Sequence, residues 1–302
     1  MPSRLSLLKF IQIIYDTNLP GAAKLARLIS RIFWGRLPDK IVTTSVEGFL
    51  FLLEPARDRY GLEREIYQMG TYEKGTLYVL RNFLRPGDIF LDVGANIGYL
   101  SCTIAGLFPE VQVWAFEPNS EVLWILKENI KINNLTNIKT FSYALGSENC
   151  TSVIYPDALE GNRGGASLVK PPDHHSRAFE IEVRRLDDVV DLQGNNAILK
   201  IDVEGFEMEV LKGGRQLLES PCAPALIVEC SLERNNYQYD GRDLFEFIKT
   251  VNDYKVFMLR KGKNRISQLI PLVSPDALPH HDNIFCFREN HLHRIRPLLS
   301  KM

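Results

Sequence analysis

The sequence predicts an α/β fold, a mostly parallel sheet with helices on both faces, and three observations carry that prediction. Short apolar runs recur at 89–93, 111–116, 138–144, 197–203 and 225–230. Segments of helical periodicity separate most of them. The spacing between runs leaves room for the crossover that parallel pairing requires.

Taken in order, residues 1–38 read as two short helices. Leu7, Leu8, Ile11 and Ile14 recur at helical spacing, and Leu25, Leu28, Ile29 and Ile32 do so again after the break at Pro20-Gly21. Residues 41–53 read as a β-hairpin turning at Glu47-Gly48. A helix over 75–84 ends at Arg85-Pro86-Gly87-Asp88. The strand at 89–93 leads into a helix over 98–107, and the strand at 111–116 into a helix over 120–132 with Ser120 as its cap. After the third strand, 138–144, the Gly, Pro and His of 146–185 break the rhythm and read as an inserted loop and hairpin. The strand at 197–203 precedes a helix over 208–218, and that at 225–230 a helix near 242–251. Late strands at 255–259 and 284–288 close the pattern. The chain therefore divides into an N-terminal helical and hairpin cap (1–75), a principal α/β domain (76–290) and a basic C-terminal tail (291–302).

Composition is that of an ordinary soluble protein, with 45% hydrophobic and 24% charged residues and a formal net charge of −1. Such a balance gives no electrostatic reason to expect nucleic acid as partner. The five cysteines form no CxxC pair or zinc spacing. Cys102, Cys230 and Cys286 sit in apolar runs and read as buried thiols in a reducing compartment. No apolar stretch nears the ~20 residues of a membrane span, and no signal-peptide pattern opens the sequence. A cytoplasmic location without a transmembrane segment is the expectation.

Ligands of parallel sheets bind beyond the carboxyl ends of the strands. The first strand ends in Asp92-Val93-Gly94-Ala95-Asn96-Ile97-Gly98. Gly94 and Gly98 allow a tight turn, and the helix that follows offers N–H groups at its start. A dinucleotide would suit that much, but a fixed carboxylate at Asp92 repels a pyrophosphate, and Asn96 stands where the dinucleotide fingerprint needs a glycine. Asp92 instead attracts an ammonium group such as that of S-adenosylmethionine, whose carboxylate can use the turn's N–H groups. Glu117, ahead of Pro118 at the end of the second strand, is placed to accept hydrogen bonds from ribose hydroxyls.

Lys200, Asp202 and Glu204 fall on one side of the fourth strand by alternation. Three charges there belong at the strand's open end rather than in a core, and a structural Lys200–Asp202 pair is the alternative. Glu229 ends the fifth strand beside them. Carboxylates so grouped can serve as general base, hold a substrate hydroxyl, or bind a divalent cation.

The segments GDIFLDVGANIGYLS, WAFEP, LDDV and LKIDVEGFEMEVLKGG, in this order, resemble the FkbM family of class I methyltransferases over roughly residues 70–290. The resemblance implies a Rossmann-like sheet of seven strands, mostly parallel with an antiparallel last strand. It also implies S-adenosylmethionine as cofactor and methyl transfer to a hydroxyl oxygen of a sugar, polyketide or similar small molecule in biosynthesis. The alternative acceptor is a peptide side-chain nitrogen, and a more distant alternative is an NAD-dependent oxidoreductase of the same fold. A binding protein that has lost catalysis would keep the cofactor loop and lose the acceptor residues.

An antiparallel final strand starts at the cofactor end of the sheet, which places His280, His281, Asp282 and Asn283 at the rim of the site. Histidine can take a hydroxyl proton. The competing reading of His280 and His281, as of His174 and His175, is an exposed loop histidine without a chemical role. The candidate catalytic set is Asp202, Glu229, Lys200, Glu204 and His281. The candidate cofactor set is Asp92, Val93, Gly94, Ala95, Asn96, Gly98, Glu117, Pro118, Ala144 and Asp202. No metal is indicated; Asp202, Glu204 and Glu229 are the residues that would ligate one. Gly161, Arg163, Gly164, Gly165, Ser167, His174 and His175 in the insertion are expected to fold over the acceptor with the N-terminal helices. His291 and His293 fall in the tail and carry no expected chemistry. Up to Lys40 the chain has seven Lys or Arg against two Asp. That segment is expected to pack its apolar faces over the domain, with contact to an acidic membrane or partner as the alternative.

Overall fold

The computed structural model describes residues 4–17, 19, 21–156, 165–166, 168, 177–233 and 239–300. Helices α1 (Arg4–Asp16) and α2 (Ala22–Trp34) form an antiparallel hairpin, followed by the β-hairpin β1 (Val42–Val46) and β2 (Phe49–Leu53). Then come α3 (Leu62–Met69), which the sequence reading missed, and α4 (Lys74–Phe83). The α/β succession begins with β3 (Ile89–Val93), α5 (Tyr99–Leu107), β4 (Gln112–Phe116), α6 (Ser120–Ile132) and β5 (Ile138–Phe141). Asn119, not Ser120, caps α6, its side chain accepting from Glu121 N at 3.1 Å.

A small second sheet follows, made of β6 (Ala144–Gly146), β7 (Cys150–Ile154) and β8 (Phe179–Arg185) in the order β6-β8-β7. The chain then runs through α7 (Leu186–Val189), β9 (Ala197–Ile201), α8 (Glu207–Gly213), α9 (Arg215–Glu219), β10 (Ala225–Ser231), α10 (Gly241–Val251), β11 (Lys255–Leu259), β12 (Leu269–Leu272), β13 (His281–Phe287) and α11 (Glu289–Ile295).

The central sheet has the order β12-β11-β13-β10-β9-β3-β4-β5. The run from β10 to β5 is parallel, and β13 lies antiparallel between β10 and β11. These are the seven expected strands with the expected antiparallel last strand; β12 adds an eighth at the edge, antiparallel to β11. Strand β3 is buried at every position because strands flank it on both sides and helices cover both faces. Alternation divides the core. Phe90, Ile198, Ile227 and Phe285 face one layer, whereas Leu91, Leu199, Val228 and Ile284 face the other.

Three boundaries depart from expectation, each for a local reason. The third strand stops at Phe141, not Ala144. Phe116 is the last residue of β4 to pair with it, and Pro118 has no N–H to continue the ladder, so 144–146 turn away to pair with β8. The fourth strand stops at Ile201 because Glu204 and Gly205 take φ of 54° and 98°, a conformation no strand accommodates. The helix expected over 208–218 is broken at Gly213-Gly214. A Cβ on Gly213 would stand 1.8 Å from Gly146 O, and one on Gly214 would stand 2.5 Å from Leu186. Asp187 of the LDDV segment accepts from Gln216 N and Leu217 N and so starts α9.

The basic C-terminal segment is largely helical and docked. His291 is buried edge-on against Phe83, and Arg294 pairs with Asp88. Cys102, Cys230 and Cys286 are buried thiols, as expected.

Candidate active site

A cavity of about 450 Å³ opens at the carboxyl ends of β3, β4, β9 and β10, the place where parallel sheets bind ligands. Its size is within the roughly 300–1,000 Å³ typical of small-molecule sites. Of the sequence-predicted residues, Asp92, Val93, Gly94, Ala95, Asn96, Glu117, Pro118, Ala144, Lys200, Asp202, Glu204, Glu229 and His281 all line it. Gly98 does not. It starts α5 at φ 81°, and a Cβ there would stand 2.1 Å from Leu126, so its lack of a side chain serves helix packing.

The cofactor end is built by the turn after β3. Glu117 is held from both sides, its Oε2 accepting from Asn96 N and its Oε1 from Asn119 N, each at 2.9 Å. Asn96 takes φ 54°, a strained conformation for a residue with a side chain. The turn's own N–H groups are already engaged. Gly94 and Ala95 both donate to Phe116 O, Ile97 donates to Asn96 Oδ1 and Gly98 donates to Ala95 O. The expectation that a ligand carboxylate uses them is therefore corrected: closing the turn consumes the donors.

Asp92 lines the cavity yet is only 2% exposed. Its Oδ2 accepts from Ser101 Oγ at 2.6 Å, and Lys200 stands directly beside it in register on β9. Burial pushes the Asp92 carboxyl above its ordinary range, with Lys200 opposing the shift. The Lys200 ammonium bonds Asp202 Oδ2 at 2.9 Å. Burial alone would lower the Lys200 ammonium, but Asp202, Glu73 and Asp92 together raise it. The structure thus forms the structural pair that was the alternative to a catalytic Asp202, and extends it to Asp92.

Gly94 is where the two strand ends meet. It sits at φ 81°, and a Cβ there would stand 1.9 Å from Asp202 O. Gly94→Ala is expected to cost about 1–3 kcal/mol for the left-handed backbone alone and to part the two strand ends. A lowered melting temperature in thermal unfolding checks it; an unchanged one refutes the close approach.

The far end of the cavity holds a second charge cluster. Lys263, in the loop between β11 and β12, reaches Glu229 Oε1 at 2.6 Å and Glu73 Oε1 at 3.4 Å. The same Glu229 oxygen lies 3.3 Å from His281 Nε2. Asp282 shapes the loop that carries Lys263, its Oδ1 accepting from Lys263 N at 2.8 Å. Asn283 is buried and donates to Thr76 Oγ1 and Glu73 Oε2, which anchors Glu73. His280 faces outward toward Glu233 and lines no part of the cavity.

Burial would raise the Glu229 carboxyl, but Lys263 and His281 overcome it and hold it below the usual range. The hydrogen bond to Glu229 raises the His281 imidazole above 6.5. Glu204, at φ 54°, is pushed far above ordinary carboxylates by burial and by Glu229. Glu207, which holds Val203 N and Gly205 N, is pushed up to about 7 by burial first and Glu229 second.

Asp202, Glu204 and Glu229 do not converge as metal ligands. Lysine ammonium groups already serve Asp202 and Glu229, and among the described residues no group of three metal-ligating side chains forms.

Lys263 and Glu73 escaped the sequence reading. Lys263 lies in a polar turn, KGKNR, that reads as solvated, and nothing local marks Glu73 as a buried acid. Tyr60, Gly61, Leu62 and Glu65 at the start of α3 also line the cavity, whereas no described residue before Tyr60 does. The N-terminal helices expected to form the acceptor pocket instead stand behind α3. From the insertion, Ala166 and Leu168 reach the cavity and Gly165 is buried, while Gly161, Arg163, Gly164, Ser167, His174 and His175 lie outside the described residues.

A family model described as the methyltransferase FkbM domain matches residues 92–256. Three curated relatives are similar. The 31-O-demethyl-FK506 methyltransferase FkbM of Streptomyces tacrolimicus is 34% identical, over 43% of this chain and 60% of its own length. Methyltransferase sdnD of Sordaria araneosa is 31% identical, over 42% of this chain and 61% of its own length. The 2-O-methyltransferase NoeI of Sinorhizobium fredii is 29% identical, over 44% of this chain and 60% of its own length. The matches thus span about three fifths of the length of these relatives. The family match takes in Asp92, Glu117, Asp202, Glu204 and Glu229 and ends before Lys263 and His281.

Proposed function

The chain belongs to the FkbM methyltransferase family, and from that premise we propose that it transfers the methyl group of S-adenosylmethionine to a hydroxyl oxygen of a sugar, polyketide or similar small molecule. One observation carries this reading. A single cavity joins a ribose-type acid, Glu117, to an imidazole, His281, held by a carboxylate. Two of the relatives bear names that specify O-methylation or an O-demethyl acceptor, which favours oxygen.

The residues present fit the cofactor's chemistry. Glu117, with its oxygens fixed by two backbone N–H groups, is oriented to accept from ribose hydroxyls. Phe116, Pro118, Val122, Tyr143 and Leu145 make an apolar wall suited to a purine. Asp92, Lys200 and Asp202 present alternating charges, complementary to a zwitterionic amino-acid end, and Lys200 takes over the role first expected of the turn's N–H groups. Bound there, S-adenosylmethionine supplies an electrophilic methyl group. This chain's own residues then align the acceptor, exclude water and accept its proton. His281 accepts the proton through Nδ1, the nitrogen that Glu229 does not engage, and Glu229 holds the ring through Nε2 and stabilises its charged form.

Calorimetry is expected to show binding of S-adenosylmethionine and S-adenosylhomocysteine and none of NAD. Glu117→Gln sets an amide N–H against one of two backbone donors and removes the charge, so the cofactor should weaken by about 1.5–3 kcal/mol. NAD binding without S-adenosylmethionine binding would refute the reading. Methyl transfer recovered on an amide or amine nitrogen would replace oxygen as the acceptor.

A further inference from the structure

The N-terminal hairpin carries more apolar surface than its packing uses. At a helical repeat, the α2 sequence AAKLARLISRIFW sorts into three stripes. Ala22, Ala26 and Ser30 form the inner one. Ala26 is fully buried with Ile11, Tyr15 and Met69, Ser30 Oγ donates to Gln68 O at 2.9 Å, and Trp34 Nε1 donates to the same oxygen. Leu25, Leu28 and Ile32 form the second, and they are 50%, 55% and 71% exposed. Phe10 and Ile13 of α1 and Leu19 in the turn are exposed as well, at 53%, 66% and 70%. Seven of the fourteen large apolar side chains exposed among the described residues lie on this hairpin, a concentration far from the scatter normal for a surface. The third stripe is Lys24, Arg27 and Arg31, exposed and adjoining the second; α2 contains no acid.

We infer that this outer face of the α1–α2 hairpin docks the protein on an anionic lipid surface. Apolar and cationic stripes running side by side suit a helix lying in the plane of a bilayer interface. Leucine and isoleucine enter the acyl boundary, while lysine and arginine meet the headgroups. A second copy is a poorer occupant. A two-fold interface would set the Lys24–Arg31 stripe against itself. The contact is peripheral, because no described helix is long and apolar enough to cross a membrane. It is also near the cavity: Arg27 lies 3.7 Å from Glu65, and Glu65 lines the cavity wall.

The test is flotation of the full chain with vesicles of phosphatidylcholine plus phosphatidylglycerol, beside vesicles of phosphatidylcholine alone. Binding to the mixed vesicles and not the neutral ones, weakening with salt, is expected. Lys24→Gln and Arg31→Gln should each weaken it about fivefold. Leu25→Gln with Leu28→Gln and Ile32→Gln should abolish it, with circular dichroism unchanged because all three side chains face outward. Two results would overturn the inference: no binding to the mixed vesicles, or a dimer in ultracentrifugation that the apolar triple variant dissolves.

Discussion

Replacing His281 with asparagine is expected to lower kcat roughly 10²–10⁴-fold, the usual contribution of a positioned base, while leaving the melting temperature within a few degrees. The second half of that expectation follows from geometry. The His281 side chain is 54% exposed and touches Glu229 by one edge, so asparagine removes little packing. The first half follows from pH. A base must be neutral to accept a proton, and Glu229 raises this imidazole above 6.5. Activity should therefore be full above the raised value and fall away as pH drops through it, with a midpoint above 6.5. Stability runs the other way. The charged His281–Glu229 pair contributes fully below the unfolded value and is lost as pH rises through the folded one. Glu204 would also give a limb rising with pH, because its carboxyl is raised too. The variants separate the two. If the acid limb survives in His281→Asn and disappears in Glu204→Gln, Glu204 is the base.

Much of the fold was legible because its signals are local. A buried parallel strand reads as a mainly apolar run, and 89–93, 197–201 and 225–230 are such runs, each interrupted by one charged residue, Asp92, Lys200 and Glu229. Strand β12 and helix α3 were not legible. Leu269–Leu272 contains a proline on an edge, and Leu62–Met69 is short and charged, so each owes its form to what it packs on. The site divides in the same way. Asp92 and Glu229 lie near the ends of their strands and Glu117 and Asp202 directly follow theirs, positions that a sequence displays. Lys263 and Glu73 enter from a late loop and an N-terminal helix start, and only the antiparallel insertion of β13 between β10 and β11 brings the Lys263 loop to Glu229. His281 was found for a related reason: an antiparallel last strand must begin where the parallel strands end.

Lys200→Met should be the most destabilising single change at the site, at roughly 3–5 kcal/mol, the cost of orphaning a buried charge. The neighbourhood explains why this lysine outweighs its partner. Lys200 stands between two carboxylates, Asp202 by a hydrogen bond and Asp92 by strand register. Removing the ammonium leaves both without their cation, and Asp92, almost wholly buried, keeps only the Ser101 hydroxyl. Asp202→Asn removes less. The Asp202 side chain is 17% exposed, so water reaches the gap, and Lys200 retains Asp92 beside it. Urea unfolding should thus show a larger fall in midpoint for Lys200→Met than for Asp202→Asn, with the slope unchanged in both. If Lys200→Met unfolds at the midpoint of the parent, the three charges do not support one another. If Asp202→Asn proves the more damaging, the lysine answers to Asp202 alone and Asp92 stands outside the pair. A bound zwitterion adds a second readout. In Lys200→Met the cofactor should weaken together with a large loss of stability, whereas in Glu117→Gln it should weaken with a smaller one, that of a single unmatched backbone donor.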